Sequence, residues 1–267
     1  MTPPVPDAGW LAGLQARASQ PPLLPREPLW AGTARIGSVE PGVVHALLPA
    51  LADVLKPLAH GSGSGWQVAG PLTPALDHIA RALRNAGLAG AWRDEQLAVT
   101  DEQGHRLGTV ERAAVRPLGI ATHAVHLAGR SPDGCHWVQR RALDKPNDPG
   151  MWDTLMGGMV PAADTLQAAL ARETHEEAGL ALAQLHHLRH GGRVAIRRPS
   201  GGGGAAGGYT VEHVDWFQCT VPDGVEPVNQ DGEVDEFRLM TGQEVLQRLH
   251  DNEFTLEAAL VLCAMGW

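Results

Sequence analysis

A short loop followed by a helix-forming segment with clustered carboxylates constrains this chain more than any other feature. The loop covers residues 158–164, and the segment at 172–180 carries Glu173, Glu176 and Glu177. Residues three and four apart lie on one face of a helix, so the three carboxylates are expected to share one small volume. Like charges at this spacing destabilise a helix by roughly 0.2–0.5 kcal/mol per pair, which favours either a bound cation or exposure to water.

The acidic segment is a candidate site for Mg²⁺ or Mn²⁺. Hard dications bind through a few carboxylates, keep several waters and contact substrate phosphates. Hydrolysis of a diphosphate uses such an ion to neutralise phosphate charge and to position the attacking water. The alternative for an isolated Glu-x-x-Glu-Glu sequence is a solvated acidic face.

Eight residues at fixed spacing within 158–180 resemble the signature of the Nudix hydrolases: Gly158, Asp164, Arg172, Glu173, Glu176, Glu177, Gly179 and Leu180. Two positions depart from the usual pattern, because Asp164 stands where the family has Glu and Thr174 where it has an aliphatic residue. The resemblance implies an α+β fold, an α/β/α sandwich with a mixed sheet. It also implies a metal-dependent pyrophosphohydrolase whose substrate is a small organic diphosphate.

The resemblance also implies roles for individual residues. The predicted metal ligands are Gly158, Glu173, Glu176 and Glu177. The predicted catalytic residues are Arg172, which orients the carboxylates, Glu176, and Glu236, which is the candidate general base or extra ligand from the acidic stretch 231–237. Glu233 is the alternative to Glu236, and a solvated loop is the alternative for both.

Three cations before the signature are candidates for binding the substrate's phosphates: Arg140, Arg141 and Lys145. Arginine offers a bidentate fork and lysine a point charge to a phosphate. The alternative is that these cations pair with nearby aspartates, namely Asp144, Asp148 and Asp153.

The chain resembles one Nudix subgroup in three segments: Arg-Arg-x-x-x-Lys at 140–145, Pro-Gly-x-Trp-Asp at 149–153 and the acidic stretch at 231–237. That subgroup has an extra N-terminal domain and is fused in fungi to thiamine pyrophosphokinase, which implies thiamine diphosphate or its damaged analogues as substrate. Nucleoside diphosphate derivatives or oxidised nucleotides are alternative substrates, and a non-catalytic ligand-binding module is an alternative of another class. Isopentenyl diphosphate isomerases have a similar lead-in, but they use a Cys near the position of Gly157, and no Cys lies between 136 and 218.

The charge distribution argues against a nucleic-acid partner. The net charge is −9, and 20 acidic against 12 basic residues give −8 to residues 116–267 alone. Phosphate backbones are bound by basic stripes, which this chain lacks. Cys135, Cys219 and Cys263 have no zinc or disulfide spacing, and no apolar run reaches the ~20 residues that span a bilayer. We therefore predict a cytoplasmic protein without a membrane partner, and the sequence leaves open whether it forms a homodimer.

Two modules are predicted, an α+β accessory domain at 1–115 and a Nudix domain at 116–267. The elements predicted for the first are a helix around 10–14, a helix over 43–58 broken near Pro49, a Gly/Ser loop at 61–65, a helix capped by Thr73 and ending at Gly87, and strands at 92–100 and 106–115. Those predicted for the second are strands at 122–127, 135–141, 192–197 and 209–220, a mobile Gly-rich loop at 200–208, and helices at 165–178, 243–249 and 255–265. Asp164 is the predicted N-cap of the acidic helix and Gly179 its stop. Trp10, Trp30, Trp66 and Trp92 are interpreted as core residues rather than as stacking surfaces for substrate.

Overall fold

The computed structural model describes residues 6–60, 63–200 and 208–266. The helices in these ranges are α1 (Ala8–Ala18), α2 (Pro41–Leu51), α3 (Leu72–Asn85), α4 (Leu166–Ala178), α5 (Gly242–His250) and α6 (Leu256–Met265). The strands are β1 (Glu27–Ala31), β2 (Ala34–Val39), β3 (Leu55–His60), β4 (Gly63–Val68), β5 (Gln96–Thr100), β6 (Arg106–Glu111), β7 (Ala121–Arg130), β8 (His136–Arg141), β9 (Trp152–Asp153), β10 (Met156–Met159), β11 (His186–Ser200), β12 (Gly208–Thr220) and β13 (Val234–Met240).

The larger sheet is mixed and opens between two of its central strands. Its order is β11-β12-β7-β8-β13, and β12 and β7 are parallel whereas the other pairs are antiparallel. β7 and β8 pair only at Gly129↔Trp137 and Arg130↔His136. Beyond these pairs, β10 adds to β7 and β9 adds to β8. The predicted α+β fold with a mixed sheet is confirmed, and the split between β7 and β8 is where the candidate site lies.

Helices cover both faces of this sheet. On one face, Leu170 of α4 packs with Leu127, Met156 and Phe217 of the strands. On the other face, α5 and α6 pack through a cluster that includes Val245, while Val261 of α6 packs in a neighbouring cluster. Burying a large aliphatic side chain contributes about 1.5–3 kcal/mol, so these layers hold α4 firmly on the sheet.

The N-terminal part has its own core around a second sheet of order β2-β1-β4-β3, together with α2 and α3. The hairpin β5–β6 is bonded to the loop between β10 and α4, because the Ala162 N–H donates to the Gln96 carbonyl at 2.7 Å and Arg106 Nη1 donates to the Ala162 carbonyl at 2.6 Å. The N-terminal core extends to Ile120, and Leu14 of α1 packs with the α5–α6 layer instead. The division at 115/116 stays a prediction.

Several local predictions are wrong in the N-terminal part. The predicted helix over 43–58 ends at Leu51, and its last apolar residues form β3, because a short apolar run fits a buried helix and a buried strand equally well. Thr73 does not cap α3, since its Oγ1 accepts from the Thr109 N–H at 2.9 Å while Pro71 occupies the cap position. Gly63 and its neighbours start β4 rather than a loop.

Two predicted loops fall partly on residues that are not described. Residues 61–62 of the Gly/Ser loop and residues 201–207 of the Gly-rich loop lie outside the described residues, and Ser200 and Gly208 are the ends of β11 and β12. Within the described ranges, none of the helices combines the length and the apolar character that a membrane span requires.

Candidate active site

The acidic helix is the predicted one, with a different N-cap. Thr165 Oγ1 accepts from the Ala168 N–H at 3.1 Å, and Gly179 ends α4 with φ +66°. Asp164 is not the cap, because its carboxylate accepts from Arg172 Nε at 3.1 Å. The loop residue is therefore tied to the middle of α4 rather than to its first turn.

Arg172 lies at the centre of three acidic side chains. Besides Asp164, its Nη1 donates to Glu176 Oε2 at 2.8 Å, and its Nη2 lies 3.0 Å from Glu173 Oε1. Burial opposes the charge of the guanidinium, but Glu173 and the hydrogen bonds to the other two carboxylates raise the pKa of Arg172 above its ordinary value. One guanidinium thus fixes the positions of the acidic side chains on this face of α4.

Glu177 is a buried carboxylate beneath the split in the sheet. The residue is 2% exposed, and its Oε2 accepts from Gln139 Nε2 at 2.9 Å and from the Gly157 N–H at 3.1 Å. Burial raises the pKa of Glu177 to about 8, although both hydrogen bonds act in the opposite direction. Among the described residues no cation lies within ion-pair distance of Glu177, so its negative charge is not offset by a direct partner.

Glu173 lies directly against the backbone of β10. A Cβ atom at Gly158 would lie 2.2 Å from Glu173 Cδ and 2.5 Å from its Cγ, so only glycine leaves room for this carboxyl group. Burial raises the pKa of Glu173, with Arg172 lowering it in part. The glycine of the signature is explained by this contact.

These side chains line one cleft with a volume of ≈ 560 Å³. Its wall includes most of the residues predicted for the site, namely Gly158, Arg172, Glu173, Glu176, Glu177, Arg141, Lys145 and Glu233. Three arginines of the N-terminal part and the β6–β7 connection line it as well: Arg93, Arg112 and Arg116.

Two predicted residues, Arg140 and Glu236, do not line the cleft. Gln139 reaches Glu177 on α4, and side chains alternate along a strand, so the next residue, Arg140, projects to the opposite face of β8. Glu236 is not in a loop but in β13, directly opposite Arg140, and cross-strand partners share a face. The structure thus places Arg140 and Glu236 outside the cleft, while their predicted roles stay predictions.

Arg141 and Lys145 are in the cleft but engaged with acidic partners. Arg141 Nη1 lies 3.6 Å from Asp153 Oδ2, and Lys145 Nζ forms an ion pair with Glu233. Both cations therefore pair with acidic side chains, as in the alternative given by the sequence. The partner of Arg141 is one of the aspartates named there, whereas the partner of Lys145 is Glu233.

His126, Glu212 and Glu257 also line the cleft, and none of them belongs to a predicted motif. His126 Nδ1 lies 2.9 Å from Thr154 Oγ1, and burial lowers the pKa of this imidazole. Burial and the neighbouring Glu212 raise the pKa of Glu257. These residues come from β7, β12 and the start of α6, so only the pairing of distant strands brings them together.

The donor set of the cleft suits a hard dication. Among the described residues, no three His, Cys, Asp or Glu side chains converge on one point. Two of the carboxylates of α4, those of Glu173 and Glu176, form ion pairs with Arg172 instead. Yet the available donors are carboxylate oxygens, which Mg²⁺ and Mn²⁺ prefer, and a cation beside Glu177 would offset its buried charge. Glu173, Glu176, Glu177 and the carbonyl of Gly158 are the groups that could hold the ion.

Comparisons with known proteins identify one domain family. The profile of the NUDIX domain matches residues 119–260, just over half of the chain. Nudix hydrolase 24, chloroplastic, of Arabidopsis thaliana is 28% identical over 189 residues, which cover 68% of this chain and 50% of that protein. An isopentenyl-diphosphate Delta-isomerase of Cutibacterium acnes is 34% identical over 95 residues, which cover 33% of this chain and 45% of that protein.

Among solved structures, DR0079 of Deinococcus radiodurans superposes with a TM-score of 0.52 at 18% identity, over 65% of this chain and 100% of that one, and this likeness concerns the fold alone. The chain spans about half the length of the curated relatives that it matches. With the domain profile covering more than half of its residues, the chain belongs to the Nudix family.

Proposed function

We propose that this protein is a Mg²⁺-dependent hydrolase that cleaves the diphosphate bond of a small organic diphosphate. The observation that carries the proposal is a pair of carboxylates on the wall of a single cleft, the half-buried Glu173 against Gly158 and the buried Glu177 under Gly157. Glu177 has no cationic partner within ion-pair distance among the described residues, and such a buried carboxylate is costly unless it is protonated or coordinates a metal ion. Both belong to the motif that defines the family.

In this proposal Glu173 and Glu177, with help from Glu176 and the Gly158 carbonyl, hold the ion. When bound, the ion neutralises phosphate charge and lowers the pKa of a water. Arg172 positions the carboxylates through its ion pairs. Arg141 and Lys145 are the candidates for contacting phosphate oxygens from the β8 side of the cleft.

Glu233 replaces Glu236 as the candidate general base. It lines the cleft, whereas Glu236 lies on the other side of β13.

The preferred substrate is thiamine diphosphate or one of its damaged analogues, and a nucleoside diphosphate derivative or oxidised nucleotide is the alternative. The cleft's volume of ≈ 560 Å³ lies within the usual range of small-molecule sites, about 300–1,000 Å³. A panel containing thiamine diphosphate, its oxidised analogues, ADP-ribose and modified nucleoside triphosphates, assayed with Mg²⁺ for phosphate-containing products, tests the proposal. No product from any member would favour the non-catalytic module instead.

The relative named as an isomerase makes isomerisation the rival chemistry. That chemistry was expected to need a Cys near Gly157. None of Cys135, Cys219 and Cys263 lines the cleft within the described residues, which favours hydrolysis.

Replacing the positioning arginine should slow turnover. Arg172→Lys keeps the charge but cannot bind three carboxylates with one planar fork, so we expect kcat to fall roughly 10–100-fold. Arg81→Lys is the matched control, because Arg81 also forms an i,i+4 helical ion pair, with Asp77, but lies outside the cleft. Steady-state kinetics of both variants decide the matter, and equal effects would show that Arg172 has no special role.

A further inference from the structure

A second, smaller cavity adjoins the cleft on the side of the N-terminal part. Its volume is ≈ 270 Å³, and its apolar wall includes Val115, Ile120, Met159 and Tyr209. We call this cavity the side pocket. Small-molecule sites start at about 300 Å³, so the side pocket suits a compact group of one or two rings.

Three arginines lie at the junction of the two cavities. Arg93, Arg112 and Arg116 each line both the cleft and the side pocket. Arg93 precedes β5, Arg112 follows β6, and Arg116 lies in the connection to β7. Glu212 lines both cavities as well, so a group that bridges them lies among three guanidinium groups and one carboxylate.

Two of the three arginines are available to an incoming anion. Arg112 pairs with Glu95 at 2.7 Å, but Arg93 and Arg116 are exposed and have no ion pair among the described residues. The other cations of the cleft are engaged with carboxylates, as the partners of Arg172 and Lys145 show. The described cations of the cleft that have no ion pair therefore lie at the junction, and the carboxylates of α4 line the same cleft.

We propose that Arg93 and Arg116 bind the phosphate that stays attached to the organic group, and that this group occupies the side pocket. The ligand class is a phosphate monoester of a compact ring system, and the diphosphate of such a group would extend from the junction toward Glu173 and Glu177. This placement of the diphosphate rests on the proposed function. Binding of the monoester itself does not require hydrolysis.

Calorimetric titration of the metal-free full-length protein with phenyl phosphate and with inorganic phosphate tests this inference. The wild type should bind phenyl phosphate more tightly than inorganic phosphate. Arg93→Gln and Arg116→Gln should each weaken both by about tenfold or more, as expected for loss of a charge-assisted hydrogen bond. Arg81→Gln, an exposed arginine outside both cavities, should bind like the wild type.

The side pocket is tested by filling it. Ala91 lines its rim and is exposed, so Ala91→Phe should fold normally and should lose the preference for phenyl phosphate while keeping affinity for inorganic phosphate. Wild-type affinity in both arginine variants, or no preference for the ring in the wild type, would overturn the inference. Failure of the hydrolase proposal would show separately, as an inactive wild type in the Mg²⁺ panel with these binding differences intact.

Discussion

Glu177→Gln should lower kcat by roughly 10³-fold, equivalent to about 4 kcal/mol of transition-state stabilisation, while leaving the fold intact. Glutamine has the shape of glutamate, and its amide oxygen can still accept from Gln139 Nε2 and the Gly157 N–H. The lost property is the negative charge that would hold the ion. Steady-state assays on the best substrate of the panel, with Mg²⁺ varied, measure the effect.

A control for simple charge removal is available in the same domain. Glu226 is exposed in the loop between β12 and β13 and lies outside the cleft, so Glu226→Gln should turn over like the wild type. Turnover of Glu177→Gln within about threefold of the wild type would remove Glu177 from the mechanism. Manganese titration followed by electron paramagnetic resonance should show weaker binding in Glu177→Gln only.

Metal-free stability gives an independent test of the buried charge. Burial raises the pKa of Glu177 from its ordinary 4.5 to about 8. Between these values the folded state holds a proton that the unfolded state releases, so this contribution to the free energy of unfolding is complete below the lower value and is lost as the pH rises through about 8. Glu177→Gln lacks this titration. The free energy of unfolding of the variant, relative to that of the wild type, should therefore rise by a few kcal/mol from mildly acidic to alkaline pH, as measured by thermal unfolding.

The sequence predicted α4 well because its signals are local. The i, i+3 and i+4 spacing of Glu173, Glu176 and Glu177 places them on one helical face, and Gly179 supplies the left-handed residue that ends the helix. The N-cap was missed by one residue, because Asp164 and Thr165 are both good caps and only the ion pair with Arg172 separates them.

The N-terminal sheet was not predicted, since its strands lack the usual signals. β3 contains Pro57, and β4 begins with Gly63 and Gly65, residues that normally indicate loops. Their pairing depends on partners far apart in the sequence, such as β1 with β4. Local propensity carries no information about such contacts.

The position of Glu236 relative to the cleft depends on long-range pairing in the same way. The sequence predicts no strand over β13, so the alternation that turns Glu236 away from α4 could not be applied. His126 and Glu257 were missed because no spacing links them; one lies in β7 and the other in the first turn of α6. The residues of the site on α4 can thus be predicted from local spacing. Those that strand pairing brings to the cleft cannot.

Gly158→Ala should damage both the site and the stability of the protein. A methyl group there would lie 2.2 Å from Glu173 Cδ, so the carboxyl group must leave its place against β10. We expect kcat/KM to fall at least about 10²-fold, as for loss of a preorganised group. The loss in the free energy of unfolding should be about 1 kcal/mol, at the low end for overpacking, because the atoms that the methyl group meets are the end of a flexible side chain. Gly42→Ala is the control, because nothing lies within 4 Å of its added Cβ in the first turn of α2, and its free energy of unfolding should be no lower than that of the wild type.

A double variant separates the two effects of the added methyl group. Glu173→Ala removes the side chain that the methyl group would meet, so Gly158→Ala should cost much less stability in that background. Activity should stay low in both single variants and in the double variant, because each of them displaces or deletes the same carboxylate. Equal losses of stability with and without Glu173 would mean that the methyl group meets something other than this carboxylate, and the glycine of the signature would then need a different explanation.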